Sequence, residues 1–113
     1  MDEKKKLSVA QEKRVAKLFR GKRTPQSGGG KFAKGDVLTE SDYGSFLIEC
    51  KTSITPKPSY SVKKEILQKA DEERREMGKD FYALAFTFGD EEDYFVLNKK
   101  AMVYLLSNLP DFN

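Results

Sequence analysis

The run Phe81 to Phe88, FYALAFTF, narrows the folds open to this chain more than any other stretch. It is almost continuously apolar and of strand length, as expected of a central strand covered on both faces. Upstream lies a second strand-like run, residues 46–51. Between the two is a helical pattern over residues 61–77, with Val62, Ile66, Ala70 and Met77 on its buried side, Gln68 almost opposite on the solvated side, and Gly78 to close it. Strand, helix, strand in that order predicts a crossover that lays the two strands parallel. Residues 89–93 then read as a turn and residues 94–97 as a short returning strand. The acids at 90–93 lack the regular spacing of a calcium loop and suit a solvated hairpin tip. Asn98 caps a last helix over residues 99–107, whose face of Met102, Val103, Leu105 and Leu106 needs a cover, either the sheet or another subunit. The expected class is α/β, one domain over residues 1–113, with a mixed sheet of about four strands and helices on both faces.

The stretch KGDVLTESDYGSFLIECK, residues 34–51, carries the chemistry. A strand-like segment at residues 36–38, a polar turn with Asp42 and Gly44, and the strand at 46–51 form a candidate hairpin. Side chains of a strand alternate between faces, so Leu47, Glu49 and Lys51 share one face and Phe46, Ile48 and Cys50 the other. Pairing of the two strands brings Asp36 beside Glu49. Two carboxylates and an amine at one spot suit a divalent cation with oxygen ligands, because adjacent carboxylates repel unless positive charge lies between them. A solvated hairpin would carry a Glu–Lys pair equally well.

Ahead of the hairpin, Ser8 and Gln11 have the spacing of a capping box, and a first helix is expected over residues 9–20, ended by Gly21. At about 100° per residue, Val15, Leu18 and Phe19 fall on one side and Lys13, Arg14 and Lys17 on the other. Glu12 is the one charge on the apolar side. A buried carboxylate is costly unless it is paired or metal-bound, which makes Glu12 a functional candidate, with a first-turn acid favoured by the helix dipole as the plainer reading. The loop that follows holds Pro25, Ser27 and three glycines, Gly28 to Gly30, flanked by Lys22, Arg23, Lys31 and Lys34. Glycines admit close approach of a phosphate and the cations neutralise it; a flexible connector would have the same composition. No Gly-Lys-Ser/Thr opens a helix here, so it is not a P-loop.

Composition removes most other chemistries. There is no histidine and one cysteine, which leaves no disulfide framework, little zinc chemistry and no Ser-His or Cys-His mechanism. Catalysis would have to run on carboxylates, lysine, hydroxyls or a hard metal. No apolar run approaches the ~20 residues needed to span a bilayer, and the charged residues 1–6 have no signal-peptide core behind them, so a soluble, cytoplasmic protein without a membrane partner is expected. The net charge of +3 hides an asymmetry: residues 1–69 hold 16 basic against 8 acidic residues, and residues 70–113 hold 5 against 10. A basic half that also holds the acid cluster suits a polyanion brought onto a metal site, although charges that merely solvate a small domain would also account for the count.

The order of elements, a helix with Glu12, a basic glycine loop, a strand with Asp36, a strand with Glu49-x-Lys51, a helix and a buried strand, resembles the PD-(D/E)xK nuclease superfamily. Within it the chain is most similar to the small Holliday junction resolvases of archaea and phages, over roughly residues 9–88. Gly35 rather than proline precedes Asp36. The resemblance implies a restriction-endonuclease-like core and a DNA endonuclease that uses Mg2+, with Mn2+ able to substitute. It implies that Asp36, Glu49 and the backbone carbonyl of Cys50 hold the metal, and that Glu12 binds it or orients water at it. It further implies that Lys51 orients or deprotonates the attacking water, and that Lys22, Arg23, Ser27, Lys31 and Lys34 face DNA. Branched DNA and a homodimer follow from the same resemblance, since a resolvase makes two symmetric cuts. The alternatives are a related nuclease of nicks, flaps or ends, and a non-catalytic nucleic-acid-binding domain of the same fold.

Overall fold

The computed structural model describes residues 2–24, 36–41 and 44–108, with Asp36 and Ser41 described by their backbone alone. The order is α1 (Glu3–Phe19), β1 (Lys22–Arg23), β2 (Asp36–Ser41), β3 (Gly44–Lys51), α2 (Lys64–Glu76), β4 (Phe81–Phe86), β5 (Tyr94–Leu97) and α3 (Lys99–Ser107). The strands form one five-stranded sheet in the order β1-β2-β3-β4-β5. It is mixed: β3 and β4 run parallel and the other neighbours antiparallel. The fifth strand, beyond the four expected, is the two-residue β1, too short to carry a pattern of its own.

The apolar run behaves as a central strand, β4, flanked by β3 and β5. It ends at Phe86 rather than Phe88, because Thr87 leaves the ladder to bind the segment after β3 through its hydroxyl and carbonyl. In the parallel register Phe46, Ile48 and Cys50 pair with Phe81, Ala83 and Ala85, while Leu47, Glu49 and Lys51 pair with Tyr82, Leu84 and Phe86. The first set packs under α1 and α3, through Val15, Ala101, Tyr104 and Leu105. On the second set, Leu47 and Leu84 are fully buried, and α2 covers this face with Ala70. The two helices and one helix on opposite faces give the layered α/β arrangement expected.

Several boundaries differ from the expectation. The first helix starts six residues before residue 9, capped by Asp2, whose carboxylate accepts from the Lys5 N–H at 2.7 Å. A carboxylate cap followed by Glu3 in the first turn complements the helix dipole, and it leaves Ser8 inside the helix, where its hydroxyl donates to Glu12 at 3.1 Å. At the other end Arg20, not Gly21, takes the left-handed conformation, with φ 55°. Gly21 is needed for space instead, since a Cβ there would lie 2.6 Å from the Leu38 carbonyl oxygen. The second helix starts at Lys64 rather than 61, so Val62 is exposed, and Met77 is only half-buried. In α3, Ala101, Tyr104 and Leu105 face the sheet, whereas Met102, Val103 and Leu106 are 46%, 55% and 61% exposed. Leu18 and Phe19 of α1 are exposed as well, and they edge an apolar groove of about 580 Å³ that reaches down to Ile48 and Ala83 between α1 and α3. Among the described residues no helix is long and apolar enough to cross a membrane.

Candidate active site

The β2–β3 ladder places Asp36 directly opposite Glu49. This is the pairing the sequence predicts, and it follows from a tight hairpin that closes with Ser41 opposite Gly44. The Glu49 side chain retains 5% exposure. Its Oε1 lies 3.2 Å from Lys51 Nζ, and its Oε2 is buried and finds no hydrogen-bond partner among the described residues. A buried carboxylate oxygen left without a donor costs free energy on the order of 1–3 kcal/mol, and native structures seldom tolerate one without a use for it. A water, a further donor or a hard cation would satisfy such an oxygen, and carboxylates with a backbone carbonyl are ligands that a hard cation takes. The described residues by themselves contain no group of three or more Asp, Glu, Cys or His side chains able to hold a metal. Lys51 is 42% exposed, so its ammonium is held by Glu49 on one side and reaches solvent on the other.

The backbone here is braced from behind. Gln11, fully buried on α1, donates through Nε2 to the carbonyls of Lys51 (3.1 Å) and Ala85 (3.3 Å), and its Oε1 accepts from the Thr52 hydroxyl at 2.5 Å. One amide thus ties α1 to the ends of both parallel strands. The capping-box reading of Gln11 misses this, because the partners lie 40 and 74 residues away. The Cys50 side chain is buried in the core and behaves as a small hydrophobe.

Glu12 is fully buried, as its place on the apolar side of α1 predicts. Its carboxylate accepts from Arg23 Nε at 3.0 Å and from Ser8. Arg23 therefore neutralises an internal acid, a use distinct from the phosphate contact expected of it. Neighbouring Lys22 is exposed. Ser27, Lys31 and Lys34 lie outside the described residues. Arg23→Ala is expected to destabilise the fold by about 2 kcal/mol, less than the roughly 3–5 kcal/mol of a fully buried pair, because Arg23 keeps 31% exposure. Chemical denaturation of the variant beside wild type checks this.

Tyr60 is a site neighbour to which the sequence assigns no role, since it lies between the proline-bearing residues 52–59, which read as an irregular link, and the second helix. Its ring stacks on Phe86 at 4.4 Å between centroids and 14° between planes. Burial, and then the negative charge of Glu49, push its phenol above the ordinary tyrosine range. The available signal was an aromatic residue just after Pro56 and Pro58 in a segment otherwise rich in lysine. No protein-family model, curated protein or solved structure matches this chain.

Proposed function

We propose that this protein is a magnesium-dependent DNA endonuclease that hydrolyses phosphodiester bonds, acting as a homodimer on branched DNA in the manner of a Holliday junction resolvase. The observation that carries the reading is Glu49: an almost fully buried carboxylate with one oxygen unpartnered among the described residues, Lys51 on the same face, and Asp36 as its cross-strand partner. Asp36, Glu49 and the Cys50 carbonyl would hold the cation. Bound there, Mg2+ would supply Lewis-acid polarisation of a phosphate and neutralise its charge. Lys51, pinned to Glu49 yet open to solvent, orients or deprotonates the attacking water and places positive charge where negative charge develops. Glu12 is held on α1 by Arg23 and Ser8 as a buried acid. The exposed Met102, Val103 and Leu106 and the apolar groove beside them suit a second copy of the chain, which would provide the second cut.

The test is cleavage of a labelled four-way junction and a matched duplex by the purified protein, with and without Mg2+, alongside light scattering. Junction cutting that needs Mg2+ and a mass twice 12.9 kDa are expected. No cutting of either DNA would leave a binding domain. A mass near 12.9 kDa that stays unchanged when junction is added would remove both the dimer and the resolvase reading.

A further inference from the structure

The face that carries Glu49 and Lys51 continues sideways into a cluster of aromatic rings. In the ladder Lys51 pairs with Phe86, and Phe86 with Tyr94, so the three positions lie in one row on the α2 face. Tyr60 stacks on Phe86, Phe88 meets Phe86 edge-on at 5.4 Å, and Tyr94 lies 5.8 Å from Phe86 and 5.1 Å from Phe88. These rings are not sealed: Tyr60, Phe86 and Phe88 are half-buried and Tyr94 is 42% exposed.

Two further features give the cluster a direction. Residues 51–64 contain Lys51, Lys57, Lys63 and Lys64 and no acid, and Lys57, Lys63 and Lys64 are exposed. The β4–β5 turn just beyond Phe88 carries the exposed acids Asp90, Glu91 and Glu92. A polyanion is drawn to the lysine segment and repelled from that turn. The platform is also held rigid. Ser53 N–H donates to the Thr87 hydroxyl at 3.2 Å, the Ser53 hydroxyl to the Thr87 carbonyl at 3.1 Å, and Lys57 N–H to the Phe88 carbonyl at 2.9 Å. The segment before Tyr60 crosses Gly89 so closely that a Cβ there would lie 2.6 Å from the Thr55 carbonyl oxygen.

We infer that Tyr60, Phe86, Phe88 and Tyr94 form a stacking surface for an unpaired nucleobase of a DNA strand whose phosphates run along the lysines of residues 51–64 towards Lys51. Accessible rings beside a line of cations are what single-stranded nucleic acid binds, since every base has a π-face and every phosphate a charge. A base inside a duplex already has both faces stacked, so the surface selects DNA with an unpaired or splayed position, as at a branch point. The inference rests on reading the Glu49–Lys51 face as the DNA face.

The chain has no tryptophan and five tyrosines, two of which, Tyr60 and Tyr94, belong to the cluster, so quenching of tyrosine emission that is lost in variants of those two reports on it. In EDTA, where no cleavage occurs, an oligothymidylate is expected to quench that emission and to bind at least 10-fold tighter than an abasic oligomer of equal length and charge. Tyr60→Leu, which keeps an apolar contact with Phe86, and Tyr94→Ala are each expected to weaken oligothymidylate binding by about 10-fold and leave the abasic oligomer unaffected, with native circular dichroism. Equal binding of the two oligomers by wild type, or wild-type affinity in both folded variants, overturns the inference. That result with Mg2+-dependent cleavage intact removes the stacking surface alone. A base-dependent preference without any cleavage upholds the surface and counts against the nuclease.

Discussion

Glu49→Gln and Asp36→Asn are each expected to abolish Mg2+-dependent cleavage while leaving DNA binding intact or slightly tighter. The amide keeps the shape of the carboxylate and removes the charge a hard cation requires, so the loss should be at least about 10³-fold, beyond the roughly 10²-fold typical of a residue that only supports a ligand. Phosphate binding should not suffer, because one source of repulsion toward the backbone has gone. Stability should hold or rise for Glu49→Gln, since a carboxylate with 5% exposure gives way to a neutral group that is cheaper to bury. Cleavage rates, gel-shift affinities and thermal melts measured together separate these effects. Either variant cutting at the wild-type rate would remove the site assignment, and a melt lowered by several degrees would mark Glu49 as a structural acid.

Lys51→Ala is expected to lower the cleavage rate by about 10²-fold or more, the range for removing one general-base or charge-stabilising group. The ammonium sits 3.2 Å from Glu49 and retains 42% exposure, so its removal costs little packing. What holds the position is the backbone: the Lys51 carbonyl accepts from Gln11 whatever the side chain. Native circular dichroism with slow cleavage is therefore the expected pair of results. Loss of the fold in Lys51→Ala would mean that the ion pair with Glu49 is a structural feature.

The parts of this site that could be read in advance are those set by short-range periodicity. Asp36 opposite Glu49 follows from a two-residue period and a short hairpin, and the burial of Glu12 from a 100° turn per residue. Asn98 caps α3 as read, its side chain accepting from the Ala101 N–H. Periodicity fails where several answers satisfy it. Asp2 and Ser8 both look like caps, and the choice falls to the carboxylate at the more acidic end. In α3, Met102, Val103 and Leu106 are as apolar as Leu105, and only the position of the sheet decides which side is covered. The rest was beyond reach because it depends on where distant segments meet. Gln11 acts through Lys51 and Ala85, Arg23 through Glu12, and Tyr60 through a link laid across Thr87, Phe88 and Gly89. The α/β layering was legible from the order of elements.

Gln11 also has a bearing on when the site comes into being. Asp36, Glu49 and Lys51 all leave the ribosome before Phe81, and the β2–β3 hairpin is local enough to pair on its own. The Gln11 amide, however, reaches its second carbonyl only on Ala85, across the parallel β3–β4 pair that closes after α2 has crossed over. Until that strand docks, the end of β3 has half of its brace and no ring surface beside it. A chain still being made therefore carries Asp36, Glu49 and Lys51 before the brace that fixes the end of β3 is complete.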